Sequence, residues 1–229
     1  MHSKPLSLAT ASILRQPPTL RITEIFYSIQ GESSFIGLPT VFIRLTGCPL
    51  RCHYCDTEYA FSGGSLLNIE QILNKTAEYN TPYVTVTGGE PLAQENTSTL
   101  LDQLVQAGYQ VSLETSGAMD LSSLNKHVIK IMDLKTPASG ETDKNLYKNI
   151  EFLNQSDEVK FVICNDDDYN WSKQIVNQYH LTDLCGVLFS ASYNQYPATH
   201  LAERILKDQL KVRFQMQLHK ILWNDAQGR

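Results

Sequence analysis

The chain is predicted to adopt an α/β fold with a largely parallel sheet, because short β-rich runs alternate with helical stretches along its length. The candidate strands are rich in Val, Ile, Phe and Thr, which favour strands. The candidate helices repeat apolar residues at helical spacing, as Ile69, Ile72, Leu73 and Ala77 do. Polar motifs follow several strands directly, where barrel-like α/β folds carry their working groups.

The predicted strands span residues 22–27, 41–46, 83–87, 111–114, 128–134, 159–163, 187–190 and 212–218. The predicted helices span residues 68–79, 95–107, 143–153, 168–179 and 199–208. No Pro-, Ser- or Gly-rich linker divides the chain after residue 20. We therefore expect residues 1–20 to form a flexible tail and residues 21–229 to form a single domain.

Composition is that of an ordinary globular protein, with 229 residues, 42% hydrophobic residues and 19% charged residues. The formal net charge of −5 argues against a surface that binds nucleic-acid phosphates. No apolar run is long enough to predict a membrane span, and the first 20 residues lack the apolar core of a signal peptide. Three of the five cysteines crowd into eight residues, which favours a metal site in a reducing cytoplasm over a disulfide framework.

Cys48, Cys52 and Cys55 form the strongest chemical pattern in the sequence. Thiolates of this kind suit an iron–sulfur cluster or zinc. A four-iron cluster held by three cysteines keeps one iron open, and the other two cysteines lie more than a hundred residues further on. A zinc loop completed by His53 or another residue is the alternative interpretation at this point.

Two further motifs each follow a predicted strand. The segment Thr-Gly-Gly-Glu-Pro at 87–91 lets a ligand approach the backbone closely, although it also suits a plain strand-to-helix turn. Asp133 and Lys135 lie two residues apart, so their side chains share one face of a strand. They are suited to bind hydroxyl and carboxylate groups, and the alternative is a weak, exposed ion pair.

The cysteine spacing, with the aromatic Tyr54 before the last cysteine, resembles the radical S-adenosylmethionine superfamily. The resemblance implies an incomplete TIM-like barrel that holds a 4Fe-4S cluster on the three cysteines. It also implies that the amino and carboxylate groups of S-adenosylmethionine chelate the open iron. The cofactor contacts that it implies are Gly89, Glu90, Asp133, Leu134, Lys135 and Ser190.

Upstream segments resemble the 7-carboxy-7-deazaguanine synthases from about residue 22 to residue 220, and the Gln-Gly-Glu sequence at 30–32 is the most diagnostic part. The resemblance implies conversion of 6-carboxy-5,6,7,8-tetrahydropterin to 7-carboxy-7-deazaguanine with loss of ammonia, in queuosine (7-deazapurine) biosynthesis. It implies a flavodoxin-like electron donor and a homodimer. The implied substrate contacts are Ile29, Gln30, Gly31, Arg44 and Thr87, and the implied Mg²⁺ contact is Thr57.

Two departures from the family pattern are visible. Ser33 follows Gln-Gly-Glu where the family usually has Gly, and residues 221–229 extend the chain beyond the Gln-x-His-Lys segment at 217–220. A glycyl-radical enzyme activase is the alternative enzyme, since it shares the cysteine loop and the Asp-x-Lys pair but acts on a protein backbone. A non-catalytic zinc or electron-transfer module is the third hypothesis, and it leaves the motifs at 87–91 and 133–135 unexplained.

Overall fold

The computed structural model describes residues 17–224 and 226–229. In this part of the chain nine strands form one sheet, in the spatial order β3-β1-β2-β4-β5-β6-β7-β8-β9. The neighbours from β2 to β9 are parallel, whereas β1 pairs antiparallel with β2 and with β3. The strands are β1 (Thr19–Ile29), β2 (Pro39–Leu45), β3 (Ser65–Asn68), β4 (Tyr83–Gly88), β5 (Gln110–Thr115), β6 (Ile129–Asp133), β7 (Glu158–Ile163), β8 (Gly186–Ala191) and β9 (Arg213–Gln215).

Helices pack on the outside of this open sheet, which confirms the predicted α/β fold of incomplete TIM-like barrel type. The side chain of Asn68 caps the first helix, and that of Asn165 caps the third. None of the described helices is long and apolar enough to cross a bilayer. The helices are α1 (Ile69–Thr76), α2 (Thr97–Gln106), α3 (Asp166–Gln178), α4 (Leu181–Leu184), α5 (Ala198–Lys207) and α6 (Leu218–Trp223).

The helix predicted over 143–153 is wrong. The structure has two separate 3₁₀ turns there, Thr142–Lys144 and Tyr147–Phe152. Asn145 lies between them, and its side chain bonds both backbone groups of Lys135, at 2.8 and 2.9 Å. This paired contact holds Asn145 in an extended conformation, so one continuous helix cannot form.

The chain ends differ from the predicted elements as well. The strand predicted over 212–218 ends at Gln215, and α6 follows because the amide of Leu218 donates to the carbonyl of Gly31 at 3.0 Å. At the other end β1 begins at Thr19, inside the predicted tail. Residues 1–16 lie outside the described residues, so the division into a tail and a single domain stays a prediction.

Side-chain alternation along the parallel strands separates an apolar outer face from a polar inner face. In β7 the side chains of Val159, Phe161 and Ile163 are fully buried in the core beneath the helices. Each such burial contributes about 1.5–3 kcal/mol to stability. Lys160 and Val162, between them, line the interior of the barrel instead. The period of the strands therefore delivers charged groups into the enclosed space where the site lies.

Candidate active site

A cavity of about 560 Å³ lies at the C-terminal ends of the parallel strands, which is a size that suits a small-molecule site. Most of the predicted site residues meet there. Those that line it are Ile29, Gln30, Gly31, Arg44, Cys48, Cys52, Cys55, Thr57, Thr87, Gly89, Asp133 and Lys135. Glu90, Leu134 and Ser190 are buried and do not line it, so their predicted cofactor contacts stay predictions.

The three-cysteine loop after β2 forms one wall of the cavity, and none of its thiols is in a disulfide. Burial raises the pKa of Cys52 to about 11, with Asp133 adding to the effect and Lys135 opposing it. A thiolate here therefore needs a cation such as iron to form. The described residues contain no group of three His, Cys, Asp or Glu side chains gathered around a single metal ion. Three free thiols suit a four-iron cluster that keeps one iron open for a ligand.

His53 does not complete a zinc site in the described structure. Its Nδ1 lies 3.2 Å from the carbonyl oxygen of Ala138, which can only accept, so Nδ1 carries the hydrogen. Its ring packs against Gly140, where an added Cβ would lie 2.8 Å from the ring. Nε2 keeps its lone pair, but among the described residues His53 is not gathered with the cysteines in a group that could hold one metal ion.

The backbone at Gly89 passes directly over the cysteine loop. A Cβ at Gly89 would lie 2.2 Å from the carbonyl oxygen of Gly47, so only glycine fits this approach. The next side chain, Glu90, is fully buried and accepts from the backbone amide and the hydroxyl of Ser116, at 2.7 and 2.5 Å. Gly89 thus leaves backbone exposed to the cavity beside the cysteines, and the buried Glu90 holds the turn in place through its bonds to Ser116.

Asp133 presents an unpaired oxygen at the end of β6. Its Oδ2 lies 3.2 Å from Nζ of Lys135 and 3.5 Å from Nζ of Lys160. Its Oδ1 is buried and has no hydrogen-bond partner among the described residues. A buried acceptor without a donor costs free energy, so this atom is suited to accept from a ligand hydroxyl such as that of a ribose. S-adenosylmethionine therefore fits this wall of the cavity.

Gln30 and Glu114 line another part of the cavity wall, where the predicted substrate contacts lie. Gln30 is 2% exposed, and its Nε2 donates to Oε1 of Glu114 at 3.3 Å. The hydroxyl of Thr87 donates to Oε2 of Glu114 at 2.9 Å. Burial raises the pKa of Glu114, and Glu32 adds to this while Lys160 opposes it. The sequence showed Glu114 at the start of a polar segment, 114–117, that follows a predicted strand, but sequence reasoning gave this residue no role in the site.

Glu32 and Lys160 form a buried ion pair, with Nζ of Lys160 at 2.6 Å from Oε2 of Glu32. Burial alone would raise the pKa of Glu32, but Lys160 and His219 bring it below its ordinary value. Sequence reasoning also missed Lys160. The available signal was a lysine between Val159 and Phe161 in a strand that is otherwise apolar, because charged residues are almost never buried unless they are paired.

Arg44 lies at the side of the cavity on β2. Its Nε donates to Oε1 of Glu24 at 2.7 Å, and its guanidinium lies over the rings of Phe26 and Tyr59. Within the described part of the chain its two terminal nitrogens have no hydrogen-bond partner. Arg44 is thus held in place with a donor pair left for a carboxylate.

Thr57 and Asp56 continue the cysteine loop along the cavity wall. The hydroxyl of Thr57 donates to Oδ1 of Asp56 at 2.9 Å, and Nζ of Lys220 lies 3.2 Å from Oδ2. Burial would raise the pKa of Asp56, but Lys220 and Thr57 lower it. These two oxygen-bearing side chains fit a hard cation only if a ligand supplies further oxygens.

The C-terminal segment closes the cavity beside Gly31. A Cβ at Gly31 would lie 2.2 Å from Nδ1 of His219, so the imidazole occupies the space that a larger residue would need. The last residue, Arg229, also lines the cavity. Residues 217–218, predicted as the end of a strand, instead lead into α6, and Gln217, His219 and Lys220 line the cavity.

The comparison with known proteins first identifies the superfamily. The Radical SAM superfamily matches residues 42–136, which run from β2 through the cysteine loop to just past Lys135. A solved structure of QueE from Escherichia coli superposes with a TM-score of 0.74 at 23% identity, covering 88% of this chain and 95% of that one. Fold, cysteine loop and family match together make this a radical S-adenosylmethionine protein.

Relatives at higher identity define the family. A 7-carboxy-7-deazaguanine synthase of Chlorobaculum tepidum is 42% identical over 213 residues, covering 91% of this chain and 97% of the relative. One of Koribacter versatilis is 39% identical over 219 residues, covering 89% and 97%. The chain belongs to the 7-carboxy-7-deazaguanine synthase family. It is thus an enzyme with a small-molecule substrate, and neither relative supports the activase alternative.

Proposed function

We propose that this protein converts 6-carboxy-5,6,7,8-tetrahydropterin to 7-carboxy-7-deazaguanine with loss of ammonia, in queuosine biosynthesis. One observation carries the proposal: the three-cysteine loop, Gly89, Asp133 and the guanidinium of Arg44 border a single cavity. The family of the relatives supports the same reaction. The product is the substrate less ammonia, so the reaction needs no net oxidant.

Each cofactor has a wall of the cavity that suits it. A 4Fe-4S cluster and S-adenosylmethionine, when bound, supply a 5′-deoxyadenosyl radical that removes a hydrogen atom from the substrate. We assign the cluster to the three cysteines. We assign S-adenosylmethionine to the wall made by Gly89, Asp133 and Lys135, where Oδ1 of Asp133 needs a donor. The predicted cofactor contacts Glu90, Leu134 and Ser190 are buried and would support this wall without lining the cavity.

The opposite wall orients the substrate. Arg44 would bind its carboxylate through the two terminal guanidinium nitrogens. Thr57 would give a hydroxyl oxygen to Mg²⁺, whose other ligands would come from the substrate carboxylate and water. Glu114, with a raised pKa and Thr87 at 2.9 Å, can hold a proton facing the pterin ring. Backbone groups of residues 29–31 would bind the ring edge.

The family resemblance extends the proposal to partners and location. A flavodoxin-like protein would deliver the single electron that the cluster needs. A homodimer would bury the apolar side chains of Met216, Ile221 and Leu222, which are 41%, 56% and 51% exposed. All five cysteines are free thiols, which suits the reducing cytoplasm.

Anaerobic reconstitution with iron and sulfide tests the proposal. With dithionite, S-adenosylmethionine, Mg²⁺ and 6-carboxytetrahydropterin, we expect ammonia and a product with the mass and absorbance of 7-carboxy-7-deazaguanine. A tetrahydropterin with a 6-hydroxymethyl group in place of the carboxylate is the matched control and should not react, because Arg44 and Mg²⁺ lose their partner. Absence of the deazaguanine both with and without Mg²⁺ would refute the assignment.

A further inference from the structure

Lys160 connects the two walls of the cavity through one ammonium group. Its Nζ lies 2.6 Å from Oε2 of Glu32, in the loop after β1, and 3.5 Å from Oδ2 of Asp133, at the end of β6. Lys160 and Asp133 are register partners in the β6–β7 ladder, so both side chains point into the barrel. The first carboxylate belongs to the wall assigned to the substrate, and the second to the wall assigned to S-adenosylmethionine.

The charge balance of the interior depends on this lysine. Glu32, Glu114 and Asp133 all act on it electrostatically, and the Lys160 side chain is only 13% exposed. Burial alone would lower the pKa of Lys160, but these carboxylates raise it well above its ordinary value. Without this ammonium, Glu32 would lie near the other two carboxylates, and its remaining side-chain hydrogen-bond partners among the described residues would be the neutral amides of Gln215 and Gln217. Loss of one partner of a buried charge group is strongly destabilising.

We infer that Lys160 is a positioning residue that couples the two halves of the cavity. Together with Lys135 it holds Oδ2 of Asp133, and Oδ1 of the same carboxylate stays buried without a partner among the described residues. It also holds the Glu32 carboxylate, which keeps the loop of residues 30–32 against the barrel. A displacement of the Glu32 loop or of Asp133 would therefore be transmitted to the other through Nζ of Lys160. The inference deepens the proposed function, since it assigns Lys160 a role between the cofactor and substrate walls.

The chain provides a matched control for this lysine. Lys130 is also a buried lysine of the sheet, with a side chain 4% exposed, and its Nζ lies 2.9 Å from Oδ2 of Asp157. It does not line the cavity. A neutral substitution at either position therefore breaks a buried ion pair, but only the one at Lys160 alters the cavity.

The test measures ligand affinity without turnover. Holoenzyme without reductant is titrated with S-adenosylmethionine and, separately, with 6-carboxypterin, the aromatic analogue that has no C6 hydrogen to lose. We expect Lys160→Met to weaken both ligands by about tenfold or more, within the usual range of coupling effects. Lys160→Arg should retain most of both affinities because it keeps the charge. Lys130→Met should lower thermal stability but leave both dissociation constants unchanged.

A double variant separates charge from packing. Adding Glu32→Gln to Lys160→Met removes one of the carboxylates that the lysine neutralised, so S-adenosylmethionine affinity should recover in part. Unchanged affinity for S-adenosylmethionine in folded Lys160→Met would overturn the inference, and so would an equal loss in Lys130→Met. If wild-type holoenzyme makes no deazaguanine, the proposed function fails, and the S-adenosylmethionine measurements alone still decide the role of Lys160.

Discussion

Two aspartates, Asp157 and Asp133, lie at opposite ends of neighbouring strands and differ in how far their oxygens are hydrogen-bonded. Asp157, just before β7, is fully buried and accepts from the amides of Lys130 and Asn154, both at 2.8 Å, besides pairing with Nζ of Lys130 at 2.9 Å. Asp133, at the C-terminal end of β6, pairs with two lysines but keeps Oδ1 without a donor. Both oxygens of Asp157 therefore have hydrogen-bond donors, whereas one oxygen of Asp133 has none among the described residues.

The difference separates a structural end of the barrel from a binding end. Every oxygen of Asp157 has a protein donor, so a ligand would gain nothing there. At the other end Asp133 with its unpaired buried oxygen, the three free thiols of the cysteine loop and Arg44 all belong to residues that line one cavity. Unmet hydrogen-bonding capacity of this kind costs stability in the free protein and is recovered when ligands bind. Substitutions at the two ends should therefore have opposite signatures.

The largest effect is expected from Cys52→Ala at the binding end. Loss of one of three ligands should abolish iron retention and reduce product formation below detection, while the unfolding free energy of the iron-free protein changes little. Iron content, visible absorbance and urea unfolding provide the measurements. Cys185→Ala, in a thiol that is buried away from the cavity, is the control and should keep its iron. Full cluster content in Cys52→Ala would contradict the ligand assignment.

At the structural end, Asp157→Ala should cost about 3–5 kcal/mol of unfolding free energy, because it leaves the Lys130 ammonium buried and unpaired. Urea unfolding measures the loss, and S-adenosylmethionine affinity of the folded fraction should not change. The exposed pair partner Asp143→Ala is the control and should unfold like the wild type. A changed ligand affinity in Asp157→Ala would break the contrast between the two ends.

Asp133→Asn should show the opposite pattern, with weaker ligand binding and a smaller loss of stability. It should weaken S-adenosylmethionine binding about ten- to a hundredfold, since charge-assisted hydrogen bonds contribute about 1.5–3 kcal/mol. It should alter the unfolding free energy less than the change at Asp157, because the asparagine amide oxygen can still accept from Lys135 and Lys160 keeps its pair with Glu32. Equilibrium dialysis of unreduced holoenzyme and urea unfolding measure the two effects. Wild-type affinity in this variant would remove Asp133 from the cofactor wall.

Acid pH should distinguish Glu32 from surface carboxylates. Its pKa in the folded protein lies below the ordinary 4.5, since Lys160 and His219 outweigh burial. The folded state therefore binds fewer protons, so this stabilisation is present above about pH 4.5 and is lost as the pH falls through the lowered pKa. Glu32→Gln should show a shallower loss of stability than the wild type below about pH 5, measured by urea unfolding. The exposed Glu203→Gln should follow the wild-type profile.

The smallest effect concerns the turn that brings Glu32 to the cavity. Ser33 is 1% exposed and adopts a φ of +65°, which favours glycine. Ser33→Gly should raise the unfolding free energy by about 0.5–1 kcal/mol, reduced somewhat by loss of the 3.2 Å bond from the amide of Phe35 to the serine hydroxyl. Ser33→Ala keeps the strain and loses that bond, so it should destabilise. Thermal unfolding of both variants checks the order.

Ser33 also shows how far the sequence could lead. The departure from the family glycine was visible in the sequence, but its consequence depended on the backbone angle. The structure keeps the left-handed turn and places the strain on serine, with the Ser33 amide donating to Oε1 of Gln215 at 2.8 Å. That contact joins residues far apart in the chain, which no local pattern reports.

Local patterns were sufficient wherever chemistry lies within a short segment. The cysteine loop, Gly89 and the pair Asp133 and Lys135 were all found from spacing, because their geometry is set by one loop or one strand end. The 3₁₀ turns around Asn145 were mispredicted as a helix, because a side-chain contact with Lys135 overrides local propensity.

By itself the sequence determined the class of fold, the three thiol donors and twelve of the 34 described residues that line the cavity. Only the tertiary structure decided which charges share a partner: Lys160 bridges Glu32 and Asp133, whereas Lys130 is confined to Asp157. The physical reason is that strand period sets the face on which a side chain lies, but an ion pair depends on distances across the barrel. Those distances exist only once the sheet has curved and the loop after β1 has closed against it.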